Sequence, residues 1–91
     1  MKYEIKVSNT FKKDVRLAQK RNLDLSQLGK VIDLLAAGQP LPRKYKDHPL
    51  TGNYKGYREC HIQPDWLLIY QYHHEGLYLY LTRTGSHSDL F

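Results

Sequence analysis

This sequence of 91 residues has little that points to a disulfide, a membrane segment or a nucleotide-binding loop. Its single cysteine, Cys60, excludes a disulfide within the chain and a zinc site made of several cysteines. No apolar run approaches the roughly 18 residues of a membrane-spanning helix, and residues 1–6 show no signal-peptide pattern. No glycine-rich phosphate loop is present. We therefore expect a cytoplasmic protein without membrane contact, folded as one domain over residues 1–91.

Basic residues outnumber acidic residues by 14 to 9, and the excess lies in the first half of the chain. Residues 1–46 carry eleven lysines and arginines against four carboxylates, whereas residues 47–91 carry three against five and hold all five histidines. A basic surface favours a polyanionic partner such as nucleic acid, although many small soluble proteins are equally basic. The sequence thus separates its cations from the side chains that titrate near neutral pH.

The spacing of apolar residues predicts an α+β fold with the helices packed on one face of a sheet. Residues 2–7 alternate as a half-buried strand. Two amphipathic helices follow as a hairpin, the second beginning after Asp24 and ending at Gly38. After a polar loop over residues 39–53, strands at 54–62, 66–72 and 77–83 are predicted to form a three-stranded antiparallel meander, and residues 86–91 form a short tail.

A basic stripe is predicted on the outer face of the first helix, formed by Lys12, Lys13, Arg16 and Lys20. Such a stripe is either an ordinary solvated helix face or a surface that binds phosphate groups. The sequence alone leaves both interpretations open.

Four polar side chains lie beside predicted turns and strand ends: His48, His61, Asp65 and His87. Because neighbouring strand ends meet in a meander, we expect these four to converge, although up to 39 positions separate them. Imidazole, with a free pKa of about 6.5, suits proton transfer near neutral pH, and cations stabilise negative charge on phosphorus. The pattern predicts a site for phosphodiester cleavage.

The histidines also allow other interpretations. A lone histidine is usually structural, and His73 and His74 are assigned to a hairpin turn on that ground. Three histidines can bind zinc, but His48, His61 and His87 lack the short spacings usual for such sites. We therefore predict no metal and no cofactor.

Cys60 and the aromatic residues are weaker candidates. Strand alternation predicts that Cys60 faces away from His61, which argues against a Cys–His nucleophile. Tyr57, Trp66 and Phe91 are expected either to stack on bases or to pack in the core.

Three segments carry a likeness to a known family: YKDHPLTG at 45–52, GYRECHIQPDW at 56–66 and RTGSH at 83–87. Together with KD at 13–14 and LAQKR at 17–21 in the first helix, they resemble the YafQ branch of the RelE superfamily of type II toxins. The likeness spans nearly the whole chain. Glu59 stands where an aspartate is common in that branch.

The resemblance implies a small α+β ribonuclease of a bacterial toxin–antitoxin pair that cuts messenger RNA on the ribosome without a metal. It implies a cognate antitoxin that blocks the site, and operator DNA that is bound only through the toxin–antitoxin complex. The basic stripe would then bind ribosomal RNA. The alternatives are a non-catalytic basic module that binds RNA or operator DNA, with structural histidines, and a toxin fold without activity.

The resemblance also links the positions of His48, His61, Asp65 and His87 to catalysis. Within this set we expect His87 to be the general acid, and Asp65, beside His61, to be the base or to orient it. His48 is expected to stabilise the phosphate or to place the 2′-hydroxyl. The candidates for binding substrate are Lys46, Trp66, Arg83 and Phe91.

Overall fold

The computed structural model describes residues 2–91. Its elements are β1 (Glu4–Val7), α1 (Asn9–Lys20), α2 (Leu25–Ala36), β2 (His48–Pro49), β3 (Arg58–Gln63), β4 (Trp66–His73), β5 (Tyr78–Gly85) and α3 (His87–Leu90). Single turns of 3₁₀ helix at Arg43–Tyr45 and Gly52–Tyr54 flank β2. The five strands form one sheet in the order β1-β5-β4-β3-β2. β1 runs parallel to β5, and the other pairs are antiparallel.

The helix ends follow from local capping. The side chain of Ser8 accepts a hydrogen bond from the backbone N–H of Phe11 at the start of α1. Asp24 caps α2 in the same way through the N–H of Ser26. Gly38, with a φ of 73°, follows the end of α2 in the left-handed conformation that favours glycine. None of the described helices is long and apolar enough to cross a membrane.

Apolar side chains pack on both faces of the sheet. The larger core lies between the sheet and the pair α1 and α2, and it includes Phe11, Val31 and Leu68. On the other face, Leu67 and Ile69 of β4 pack against Leu90 of α3. Because β4 is covered on both faces, its side chains from Trp66 to Tyr70 are all buried.

The sequence-based elements are confirmed for β1, α1, α2 and the three-stranded meander. β2 was predicted as loop and α3 as tail, because two and four residues are too short to show a period. The prediction that the two hairpin helices pack on one face of the sheet is confirmed, and the short α3 packs on the opposite face. β3 begins at Arg58 instead of at residue 54, since the 3₁₀ turn and Gly56, with a φ of 93°, interrupt an extended chain.

Candidate active site

Three histidines and two carboxylates lie together on the sheet face that carries α3. The ring centroids of His48 and His61 are 6.1 Å apart, and those of His61 and His87 are 5.8 Å apart. Asp65, in the turn between β3 and β4, contacts His87 directly. The structure therefore brings together the four side chains that the sequence singled out, from β2, β3, a turn and α3.

Glu59 is the member of the cluster that sequence reasoning missed. Its side chain is buried, and its Oε1 atom lies 3.4 Å from the Nε2 atoms of both His48 and His61. The available signal was strand alternation, which places Glu59 and His61 on the same face of β3. A buried carboxylate needs a partner, and here the two imidazoles are its ion-pair partners.

The ring of His48 is oriented by the backbone. Its Nδ1 atom lies 2.7 Å from the carbonyl oxygen of Lys46, which can only accept, so Nδ1 carries a hydrogen. Its Nε2 atom then attracts the Glu59 carboxylate only when that nitrogen is protonated as well. The contact with the Lys46 carbonyl therefore turns Nε2 of His48 toward Glu59.

Asp65 is bound to His87 by two hydrogen bonds. Its Oδ1 atom accepts from the backbone N–H of His87 at 2.9 Å and lies 2.6 Å from Nδ1 of the same residue. These bonds, the backbone one first, hold the pKa of Asp65 below its usual value. We expected Asp65 to act beside His61, but the carboxylate next to His61 is Glu59.

α3 is held by a capping box at its first turn and by an ion pair with a residue that follows α1. Ser86 and Asp89 form a capping box, in which each side chain accepts from the other residue's backbone N–H. Arg21, at the end of α1, donates to both oxygens of Asp89 at 2.6 and 3.2 Å. Gly85 allows this close approach, because a Cβ atom there would lie 2.9 Å from Asp89 Oδ2. These contacts hold His87 in place.

The strand β2 is anchored by a partly buried hydrogen-bond network next to His48. Asp47 accepts from the hydroxyl of Tyr70 and from the guanidinium of Arg58, whose Nε and Nη2 atoms lie 3.3 Å away. Burial first, and then the bond to Asp47, raise the pKa of Tyr70. Tyr70 therefore remains a neutral donor that ties the loop to the sheet.

The four predicted substrate-binding residues differ in accessibility. Phe91 is 63% exposed and contacts the edge of Tyr54, and Lys46 is also exposed. Arg83 donates from Nε and Nη2 to the two oxygens of Asp14, at 2.8 and 3.2 Å, and stays partly exposed. Trp66 needs a correction: it is 2% exposed, so it lies in the core and cannot stack on a base.

Trp66 is buried because β4 runs through the centre of the sheet. Its indole nitrogen donates to the hydroxyl of Thr84 at 3.0 Å, which satisfies the only polar atom of the side chain.

The basic stripe, in contrast to Trp66, is accessible to a partner. All four of its side chains are exposed on α1: Lys12, Lys13, Arg16 and Lys20.

The cluster also contains a set of side chains that could hold a metal ion. Ligand atoms of His48, Glu59 and His61 lie within 4.8 Å of one another. Two imidazoles and one carboxylate suit zinc or copper. Sequence reasoning expected no such set, because it considered three histidines and not the buried Glu59 between two of them.

A two-helix hairpin on one side of a mixed five-stranded sheet is the architecture of small RelE-like toxins. The chain matches the family model described as bacterial toxin of type II toxin–antitoxin system, YafQ, over residues 3–91, and it belongs to this family.

Its relatives match over nearly their whole length. The mRNA interferase toxin YafQ of Escherichia coli strain K12 is 47% identical over 89 residues, which cover 97% of this chain and 95% of that protein. The crystal structure of the E. coli DinJ–YafQ complex matches with a TM-score of 0.89 and 47% identity over 98% of both chains. A metal-bound toxin from Helicobacter pylori matches with a TM-score of 0.92 and 49% identity, over 98% of this chain and 99% of that one.

Proposed function

We propose that this chain is an endoribonuclease toxin that cleaves messenger RNA on the ribosome and is neutralised by a cognate antitoxin. The observation that carries the proposal is the convergence of His48, His61 and His87 with two carboxylates on one accessible surface. Membership of the toxin family and the mRNA interferase name of its E. coli relative support it. We place the protein in the cytoplasm as a single domain over residues 1–91.

The reaction we propose uses the ribose 2′-hydroxyl as the nucleophile. His61, held by Glu59, takes the proton of that hydroxyl, and the 2′-oxygen attacks the phosphorus. The bond from phosphorus to the 5′-oxygen breaks, and Nε2 of His87 donates a proton to that oxygen. The products are a 2′,3′-cyclic phosphate and a 5′-hydroxyl. No metal takes part in these steps.

Each of the two histidines that transfer a proton has its own carboxylate partner: Glu59 for His61 and Asp65 for His87. Asp65 stabilises the positive charge on His87 and leaves its Nε2 atom free to act as the acid. A carboxylate that is bound in this way is a poor proton acceptor, so His61 takes the role of base that the sequence had divided between it and Asp65. His48 stabilises the negative charge that grows on the phosphate.

A substrate with a sulfur leaving group tests these assignments. A thiolate leaves without protonation, so an RNA with sulfur in place of the bridging 5′-oxygen removes the need for a general acid. We expect His87→Ala and Asp65→Asn to recover most of the wild-type cleavage rate on this RNA, because both act on the leaving group. His61→Ala should stay slow by about 10² to 10⁴-fold. Recovery of His61→Ala but not of His87→Ala would reverse acid and base.

A growth assay separates this proposal from its alternatives. Expression of the wild type without an antitoxin should stop growth, and His87→Ala should not. A non-catalytic RNA- or DNA-binding module, or a toxin fold without activity, would give no difference between the two.

We propose that the antitoxin covers the histidine cluster and that operator DNA is bound only by the toxin–antitoxin complex. The complex that the E. coli relative forms with DinJ supports an antitoxin partner.

We further propose that zinc or copper binds His48, Glu59 and His61 and inhibits cleavage. The metal-bound relative and the three clustered ligands support this role. A bound ion takes the imidazole lone pairs, so His61 can no longer accept a proton.

A chelator tests the role of the metal. Cleavage should persist in excess chelator when magnesium is kept high enough for intact ribosomes. Micromolar zinc should inhibit, and chelator should restore the rate; activity that depends on added zinc would contradict the metal-free reaction.

A further inference from the structure

A cavity of about 460 Å³ adjoins the histidine cluster and has no role in the reaction described above. It lies at the free edge of β3, because β2 pairs only with Arg58 and Glu59 and leaves the rest of β3 uncovered by any described strand. α2 and the 3₁₀ turn at Arg43–Tyr45 form its other walls. Its volume is within the range of about 300 to 1,000 Å³ that is typical of small-ligand sites.

The walls of the cavity are cationic. Lys30 of α2 and Lys44 and Lys46 of the loop line it. None of the three forms an ion pair with a carboxylate among residues 2–91. Lys30 contributes to the lowered pKa of Asp24 through its positive charge, after the hydrogen bonds from Ser26. The ammonium group of Lys44 lies over the ring of Tyr45, 5.1 Å from the ring centroid. Three ammonium groups around one cavity fit a ligand that carries phosphate.

The polar groups of the cavity fit a nucleobase. Gln63 donates to the side-chain oxygen of Gln27 at 3.0 Å, which leaves the amide oxygen of Gln63 and the amide nitrogen of Gln27 for a ligand. Amide groups of this kind recognise the edges of unpaired bases, and aromatic rings such as Tyr45 pack against bases or sugars. Phosphate contacts position a nucleic acid, and base contacts select its sequence.

The cavity also shares a wall with the candidate active site. His61, the proposed base, lines it, and its Nε2 atom faces Glu59 in the cluster. A nucleotide in the cavity would therefore be the neighbour of the nucleotide whose 2′-hydroxyl reacts. We infer that this cavity binds the RNA nucleotide that adjoins the scissile bond, that Lys30 and Lys44 hold its phosphate, and that Gln27 and Gln63 select its base.

This inference rests on the proposed ribonuclease function, and cut-site mapping tests it. Ribosomes carrying messages randomised around the cut are treated with the wild type, Gln27→Ala, Gln63→Ala and the double variant Lys30→Ala/Lys44→Ala. Gln39→Ala and Lys6→Ala are matched controls outside the cavity. The glutamine variants should lose about three- to tenfold of base preference at one position beside the cut. The lysine variant should raise KM about tenfold and leave kcat unchanged.

Unchanged preference and KM in the cavity variants, with active wild type, would overturn the inference and leave the proposed function intact. If the wild type cuts no message, the proposed function fails, and the cavity is judged by binding alone. In that case a single-stranded trinucleotide is titrated into the protein. Shifts of the Gln27 and Gln63 side-chain amide signals, weakened in Lys30→Ala/Lys44→Ala, support the cavity; shifts confined to other residues refute it.

Discussion

Glu59 is the residue that joins two imidazoles of the histidine cluster. It is buried between His48 and His61, and no other carboxylate among residues 2–91 forms an ion pair with either imidazole. Its importance was not evident from the sequence, since a single glutamate in a strand is most often a solvated residue. Strand alternation places Glu59 beside His61, and the pairing of β2 with β3 adds His48 on its other side.

We predict that Glu59→Gln lowers kcat about 10²-fold, because the neutral amide no longer stabilises positive charge on the two imidazoles. The pH profile of kcat should change as well, which a purely structural role would not cause. Glu59→Asp keeps the charge and should recover most of the activity. Cleavage of a defined message on purified ribosomes, measured between pH 5 and 9, checks this; an unaltered profile in Glu59→Gln would remove Glu59 from the reaction.

At the scale of single elements, the shortest strand, β2, and the shortest α-helix, α3, are the ones that position the site. Neither was predicted, because each is too short to show a period and is held in place by a contact distant in sequence: Asp47 to Tyr70 for the β2 loop, and Arg21 to Asp89 for α3. α1, α2 and the long strands were predicted, because apolar periodicity and caps are local signals. Sequence reasoning thus named the three histidines and Asp65 as candidates but missed Glu59 and the two short elements that orient His48 and His87.

The β2 loop should lose stability when its anchor is removed. Asp47→Ala leaves the buried hydroxyl of Tyr70 without an acceptor, and we predict a loss of about 1–3 kcal/mol in the free energy of unfolding. The same substitution in a Tyr70→Phe background should cost less, because no hydroxyl is then left unpaired. Urea unfolding followed by circular dichroism measures both. Equal costs in the two backgrounds would show that the hydrogen bond contributes nothing.

α3 should detach from the fold in acid. The pKa of Asp89 lies far below its usual value, and the hydrogen bonds that Arg21 donates to it are the largest cause. Because the pKa is lowered in the folded state, this stabilisation is complete above about pH 4 and is lost as the pH falls below that value. In Arg21→Ala the detachment should occur at higher pH, close to 4, and kcat at neutral pH should fall because His87 is less well held.

The amide signals of Leu90 and Phe91, followed by NMR between pH 2 and 6, measure this detachment. Lys2→Ala removes a cation elsewhere on the surface and should behave as the wild type. The overall unfolding free energy should change little in either variant, since the Arg21 side chain is 45% exposed and such ion pairs contribute about 0–1 kcal/mol. An identical pH dependence in Arg21→Ala and the wild type would contradict the role of this ion pair.

At the scale of the whole molecule, the histidine cluster and the basic stripe occupy different parts of the surface. The histidine cluster lies on the face of α3, and the basic stripe lies on α1, which packs on the opposite face. The sequence anticipated this division, because the first half of the chain carries the excess of basic residues and the second half carries every histidine. Under the function proposed above, one surface would bind ribosomal RNA while the other cuts the message.

We predict that the double reversal Lys12→Glu/Arg16→Glu weakens ribosome binding and flattens its dependence on salt. For every phosphate group that the variant no longer binds, the slope of log K against log salt should fall by about one. The control Lys2→Glu/Lys6→Glu makes the same change in net charge at the edge of the sheet formed by β1. It therefore separates the effect of the stripe on ribosome binding from the effect of net charge. Thermal stability should barely change, because exposed charges contribute little. Binding to purified ribosomes between 50 and 200 mM salt decides: equal slopes in the two double variants would show that the stripe is an ordinary solvated helix face.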